Sequence, residues 1–183
     1  DTSPGLTFNP NSRDAYQALS QLKKRNPEKH YLSLVASIQQ AKHYWQPLPP
    51  NWEQALPKLW PNPLTLIWQA SAHAPRTLVS HDAYLALRYP KLPPTSSWLY
   101  EVIQNLSYPL PSSSVNISQE QPSLTWETAV TFCQQREIFI PPLDSQPIFS
   151  SAPSTLVQIK QNGHYELLRQ GDYPIEKLKA QLS

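Results

Sequence analysis

Positive side chains crowd one short stretch of the 183-residue sequence: Lys23, Lys24, Arg25 and Lys29. Lys23 and Arg25 flank the exit of a predicted helix, and Lys29 precedes a predicted strand. Cations at a strand edge can clamp a triphosphate through charge-assisted bonds, with arginine adding a bidentate fork. The same cluster fits a solvated helix end meeting the negative end of the helix dipole, and pattern alone favours that plainer reading. Ser112, Ser114 and Asn116 alternate, so an extended backbone would put three small hydrogen-bonding groups on one face. The competing reading is a serine-rich turn that satisfies its own backbone. Arg88 closes a predicted strand behind Leu85 and Leu87. Turned inward with them, it demands an anion, either a ligand or a buried carboxylate; most strand-end arginines are simply solvated. Ser154 and Arg169 lie on the two arms of a late hairpin-like pair, where surface decoration is the alternative.

The remaining residues narrow the chemistry. Glycine occurs only at positions 5, 163 and 171, so neither GxGxxG nor the Walker loop can be written. Phosphates would have to be held by side-chain cations and hydroxyls. GxSxG is missing too, which leaves the hydrolase elbow unsupported. The five histidines pair at no metal-ligand spacing, and the single cysteine, Cys133, builds neither an intrachain disulfide nor a cysteine-based zinc site. No metal-ligating residues are predicted. A net charge of +2 gives weak support to a broad RNA-binding face. No run is long enough to span a bilayer, and no basic-then-apolar leader opens the chain. The lone cysteine fits a reducing compartment, so a cytoplasmic location is expected.

Elements that could position these side chains follow from periodicity and caps. Ser12 caps a predicted helix to Lys24, and residues 31–36 alternate like a half-buried strand. A short helix is expected over 37–45 and another behind an Asn51 cap. Strands are expected at 64–70 and 84–89. A helix capped by Ser97 follows, then an extended segment at 108–115 and a helix from Thr125 to Gln135. Residues 138–140, 155–159 and 165–169 read as late strands, the last two joined across residues 161–163. Pro174 opens a final helix. The 21 prolines predict short elements and rigid turns. Strands and helices interleave, which predicts an α/β or α+β class around a mixed sheet.

Seven segments, in this order, resemble the YrdC-like threonylcarbamoyl-AMP synthase family. Residues 1–6, DTSPGL, look like the tail of its PTDTxxGL motif. Residues 23–29, KKRNPEK, are similar to its KxRP…K signature. Trp60 to Thr65 resembles WPGPLT, which we read as a structural turn, and Leu85 to Pro90 resembles the VRxP strand. SSSVNIS at 112–118 looks like STSANxS. Residues 151–157 resemble xPSTIV, and residues 168–171 resemble the ILRxG ending. Pro4 stands where an aromatic is common, Asn26 where proline is usual, Val115 where alanine is usual, and Gln119 where glycine is usual.

The resemblance implies a twisted mixed sheet with flanking helices and a large concave basic cavity, in a single domain over 1–183. Because the chain opens inside the first motif, the family's N-terminal helix and first strand are expected to be missing. The implied reaction joins L-threonine, bicarbonate and ATP into threonylcarbamoyl-adenylate and pyrophosphate, with magnesium expected. A partner transferase would then pass the group to an adenosine in tRNA, with tRNA contact possible in principle. By matched position, Thr2, Arg88, Ser112 and Ser154 are implied to hold threonine or its carbamate. Arg25, Lys29, Ser114 and Arg169 are implied to hold ATP, while Lys23, Arg25, Ser114 and Asn116 form the reacting centre. Three alternatives compete: a YrdC-like protein that binds nucleotide or RNA without chemistry, the carbamoyl-transfer domain of hydrogenase maturation proteins, and a remnant with an empty cavity.

Overall fold

The computed structural model describes residues 2–24, 31–117, 123, 125–142 and 152–182. Seven strands form one sheet: β1 (Gly5–Leu6), β2 (Leu32–Leu34), β3 (Leu64–Gln69), β4 (Tyr84–Arg88), β5 (Leu110–Ser114), β6 (Thr155–Ile159) and β7 (Tyr165–Arg169), in the order β1-β5-β2-β4-β3-β6-β7. β2 runs parallel to β4 and β3 parallel to β6; the other pairs are antiparallel. The helices are α1 (Arg13–Leu22), α2 (Ile38–Tyr44), α3 (Pro50–Leu59), α4 (Trp98–Asn105), α5 (Trp126–Gln134) and α6 (Ile175–Leu182). The mixed α/β class expected from the interleaved pattern is the class observed.

Local chemistry accounts for most element ends. The Ser12, Ser37 and Thr125 side chains accept from the backbone N–H groups of Ala15, Gln40 and Thr128 and so cap α1, α2 and α5. Two expected caps fail. α3 begins two residues earlier than an Asn51 cap implies, at Pro50, whose fixed φ suits the first helical position, so Asn51 lies inside the helix and donates instead to Gly163 O at 3.0 Å. Ser97 already has helical dihedrals, φ −60° and ψ −29°, because a single 3₁₀ turn precedes α4; its hydroxyl bonds back to Pro94 O. The expected strand at 138–140 does not form. Ile138 and Ile140 pack against the core while Phe139 is 82% exposed, so the alternation is real, but it is satisfied by packing, not by a ladder.

Pairing registers divide the sheet into two unlike faces. Successive strand residues point to opposite sides, and directly paired residues share a side. Leu64, Leu66 and Trp68 therefore lie with Leu85 and Leu87, and with Val157 and Ile159, on one face. These side chains join Trp45, Trp52, Leu56 and Leu59 in one apolar core. The opposite face carries Leu34, Thr65, Arg88, Ser112, Ser114 and Arg169. Arg88 is inward-facing as expected, but alternation puts it on the side away from Leu85 and Leu87. Both sides of β4 are covered there, which is why all three are buried.

Ser33 sits on the apolar face opposite Leu87 and Pro111, fully buried, and its hydroxyl meets no hydrogen-bond partner among the described residues. A buried hydroxyl left unsatisfied costs about 1–3 kcal/mol. Ser33→Ala should therefore stabilise the fold by about 1 kcal/mol, which for this size raises the melting temperature by roughly 2–4 °C. A thermal melt that moved down by that amount would overturn this account of Ser33.

Candidate anion-binding site

Two polar clusters stand on the face opposite the apolar core. The first gathers around Lys23. α1 ends at Leu22, and Lys23 N–H closes its last turn on Leu19 O at 3.0 Å. Lys24 takes a positive φ of 48° and turns the chain away. The Lys23 ammonium, 2% exposed, donates to Ser114 O and to Asn116 Oδ1, each at 2.6 Å. Ser114 Oγ donates to the same Asn116 Oδ1 at 2.7 Å. Asn116 lies just beyond the end of β5, so it closes over Ser114 instead of continuing the strand alternation. Lys23 thus shares one hydrogen-bonded knot with two residues more than ninety positions away along the chain.

The second cluster centres on two guanidiniums. Arg88 is 6% exposed and donates from Nη1 to Thr2 Oγ1 at 3.2 Å. Burial, then the charge of Arg169, pushes its pKa down to about 10. Arg169 donates through Nε and Nη2 to Ser154 O at 3.2 and 2.9 Å, and Nη2 reaches Ser154 Oγ at 3.4 Å. Burial lowers the Arg169 pKa as well. Ser154 is itself buried and shares a 2.8 Å hydrogen bond with Thr65. The chain reaches this arrangement through Gly171: a Cβ there would lie 2.2 Å from Pro153 O and 2.6 Å from Ser154 O. Only a glycine lets the segment after β7 press against residues 153–154.

β5 connects the clusters. Ser112 and Ser114 are two residues apart on the same side of that strand, and Ser112 lines a cavity of about 600 Å³ together with Arg88. The rest of that cavity is mainly apolar, with Pro4, Leu92, Trp98 and Trp126 among its walls, and Arg88 is the one cation among its described lining residues. Among the described lining residues, the positive charge of the cavity comes from Arg88.

Of the residues singled out from sequence, Lys23, Ser114 and Asn116 meet directly, Thr2 meets Arg88, and Ser154 meets Arg169. Ser112 shares a sheet face and a cavity with Arg88. Arg25 and Lys29 lie outside the described residues. Thr65 was missed. Its position at the end of a proline-rich turn made it read as structural, and only the β3–β6 pairing brings it to Ser154. A buried Arg88 with an exposed Arg169 near it, beside neutral hydroxyls and amides, makes a site suited to anions.

Comparison with known proteins agrees with this architecture. The profile of the Sua5/YciO/YrdC family, described as "Telomere recombination", matches residues 1–171. The chain belongs to this family. It is 30% identical over 169 residues to the threonylcarbamoyl-AMP synthase of Klebsiella pneumoniae subsp. pneumoniae, covering 91% of this chain and 84% of that protein. It is 38% identical over 85 residues to the threonylcarbamoyl-AMP synthase of Halorhodospira halophila, covering 46% of this chain and 44% of the relative. Among solved structures, P. abyssi Sua5 complexed with L-threonine superposes with a TM-score of 0.76 at 22% identity, over 98% of this chain and 51% of that one. E. coli YciO superposes with a TM-score of 0.76 at 12% identity, over 96% and 82%. The chain thus spans about half the length of the Sua5 protein whose fold it shares.

Proposed function

We propose that this chain is a threonylcarbamoyl-AMP synthase. The observation that carries the reading is the presence on one sheet face of two cation clusters, Lys23 with Ser114 and Asn116, and Arg88 with Arg169 and Ser154. Such an arrangement suits a reaction between two anions. The amino nitrogen of L-threonine adds to the carbon of bicarbonate with loss of water, giving a carbamate. A carbamate oxygen then attacks the α-phosphorus of ATP, the bond from that phosphorus to the bridging oxygen breaks, and pyrophosphate leaves. Like charges repel, so positioned cations lower the barrier both by holding the reactants together and by stabilising charge at the phosphorus.

The roles are those the family resemblance implies. Thr2, Arg88, Ser112 and Ser154 hold threonine and its carbamate. Arg25, Lys29, Ser114 and Arg169 hold the ATP phosphates, and Lys23, Arg25, Ser114 and Asn116 act at the reacting centre. No group of three or more histidine, cysteine, aspartate or glutamate side chains that could hold a metal ion occurs among the described residues. The cations, hydroxyls and amide of the site form no seat for magnesium, so magnesium is expected on the ATP phosphates as part of the substrate, and no step is assigned to it. The product is a mixed anhydride. It calls for a transferase that moves the threonylcarbamoyl group to an adenosine in tRNA.

No helix among the described residues is long and apolar enough to cross a membrane. The test is pyrophosphate release from ATP that requires both L-threonine and bicarbonate. Release that ignores either one, or no release together with steeply salt-dependent RNA binding, would favour the non-catalytic reading instead.

A further inference from the structure

We propose that Gly5 is a positioning residue for the amino-acid substrate: its lack of a side chain leaves room for the Ser112 hydroxyl to stand in the cavity that Arg88 also lines. The inference rests on the synthase reading above and concerns a residue to which that reading gives no role.

β1 and β5 run antiparallel with Gly5 directly opposite Ser114, so a side chain at position 5 would stand on the same side of the sheet as Ser112 and Ser114. The backbone does not itself call for glycine here: Gly163 takes a positive φ of 81°, and Gly5 does not. The requirement is one of space. A Cβ on Gly5 would lie 2.7 Å from Ser112 Oγ, closer than a carbon and an oxygen can come. Its next contacts among the described residues, Ser113 O at 3.6 Å and Ser112 Cβ at 4.0 Å, are ordinary. The conflict is therefore with one hydroxyl in one rotamer. Serine has other staggered positions, so an added methyl would turn the hydroxyl away before it parted the strands. The place so vacated is beside the substrate's anchor. Ser112 is half-buried and lines the cavity of about 600 Å³ together with Gly5 and Arg88. Ser112 pairs with Leu32, and Arg88 with Leu34 two residues along β2, so both side chains stand on one face with a single strand between them. Among the described residues the Ser112 hydroxyl has no hydrogen-bond partner. Its proton is thus available to a carboxylate or carbamate oxygen drawn in by the Arg88 guanidinium. A glycine inside a strand often marks such a close approach.

The experiment compares wild type with Gly5→Ala, Ser112→Ala and the Gly5→Ala/Ser112→Ala double variant by calorimetric titration with L-threonine, steady-state pyrophosphate release and thermal melting. Gly5→Ala should weaken threonine binding and raise KM for threonine about tenfold, as Ser112→Ala should, the loss of one charge-assisted hydrogen bond. Its kcat and KM for ATP should stay within about twofold, because Lys23, Ser114 and Asn116 are not among the nearest neighbours of the added Cβ. Its melting temperature should stay within about 2 °C of wild type. In the Ser112→Ala background the new methyl meets no hydroxyl, so the double variant should match Ser112→Ala in every readout. A purely structural role would move kcat and both KM values together and would persist in the double variant. Three results overturn the assignment of Gly5 while leaving the synthase reading standing: threonine affinity in Gly5→Ala within about twofold of wild type, a double-variant loss equal to the product of the single losses, or a fall in melting temperature that the double variant does not recover. Wild-type protein that releases no pyrophosphate from threonine, bicarbonate and ATP overturns the synthase reading itself, and the role of Gly5 with it.

Discussion

Replacing Arg88 by methionine should give a protein that melts higher than wild type and releases no threonine-dependent pyrophosphate. The two halves of this result share one cause. Arg88 is almost wholly buried, and burial together with the charge of Arg169 brings its pKa down from the ordinary arginine value to about 10. That depression means the folded state disfavours the charged side chain by roughly 3 kcal/mol relative to the unfolded chain. Because the folded pKa lies below the unfolded one, the penalty is constant below about pH 10 and is relieved only as pH rises above about 10. Methionine removes the charge and still fills much of the space, so the melting temperature should rise by several degrees, by an amount that stays flat from about pH 6 to 9. Activity depends on the same charge. Without it the cavity keeps no cation among its described lining residues, and turnover should fall by at least about 10³-fold. Differential scanning fluorimetry and the pyrophosphate assay read the two halves independently. A melting temperature that fell by several degrees, or activity within tenfold of wild type, would contradict the account.

Lys23→Met should be the second large loss, with a different signature. The ammonium is held at 2.6 Å by two oxygens that belong to the end of β5 and the residue beyond it. It is therefore fixed before substrate arrives, and a fixed charge stabilises the transition state without reorganising. Removing it should cut kcat by about 10²–10³-fold. The hollow around Arg88 and Ser112 is left intact, so L-threonine should bind with an affinity within about threefold of wild type by calorimetry. Equal losses in threonine affinity and in kcat would mean that Lys23 shapes the whole site and does not act at the reacting centre.

Much of this arrangement was readable before any fold was known, and the reasons are local. Ser12, Ser37 and Thr125 announce helices because capping depends on neighbours three residues away. Ser112 and Ser114 share a face because strand alternation is equally local. What could not be read depends on pairing between distant segments. Thr65 looked like the end of a turn until β3 lay beside β6, and Asn116 meets Lys23 by folding back past the strand end. The mistaken side for Arg88 arose from treating burial as belonging to one face, when β4 is covered on both. Residues 138–140 carry a strand's alternation without a strand, because apolar periodicity reports what is packed and not what is hydrogen-bonded.

The division of labour between the two sides of the sheet makes strand length more critical than strand composition. Along β5, Pro111 and Ser113 look toward one side while Ser112 and Ser114 look toward the other. One inserted or deleted residue there would exchange the two sets, turning Ser112 and Ser114 toward the apolar layer and putting Pro111 and Ser113 in their places. Conservative exchanges at single positions, by comparison, disturb one side at a time. Over evolutionary time such strands should therefore tolerate substitution far better than any change in the number of their residues.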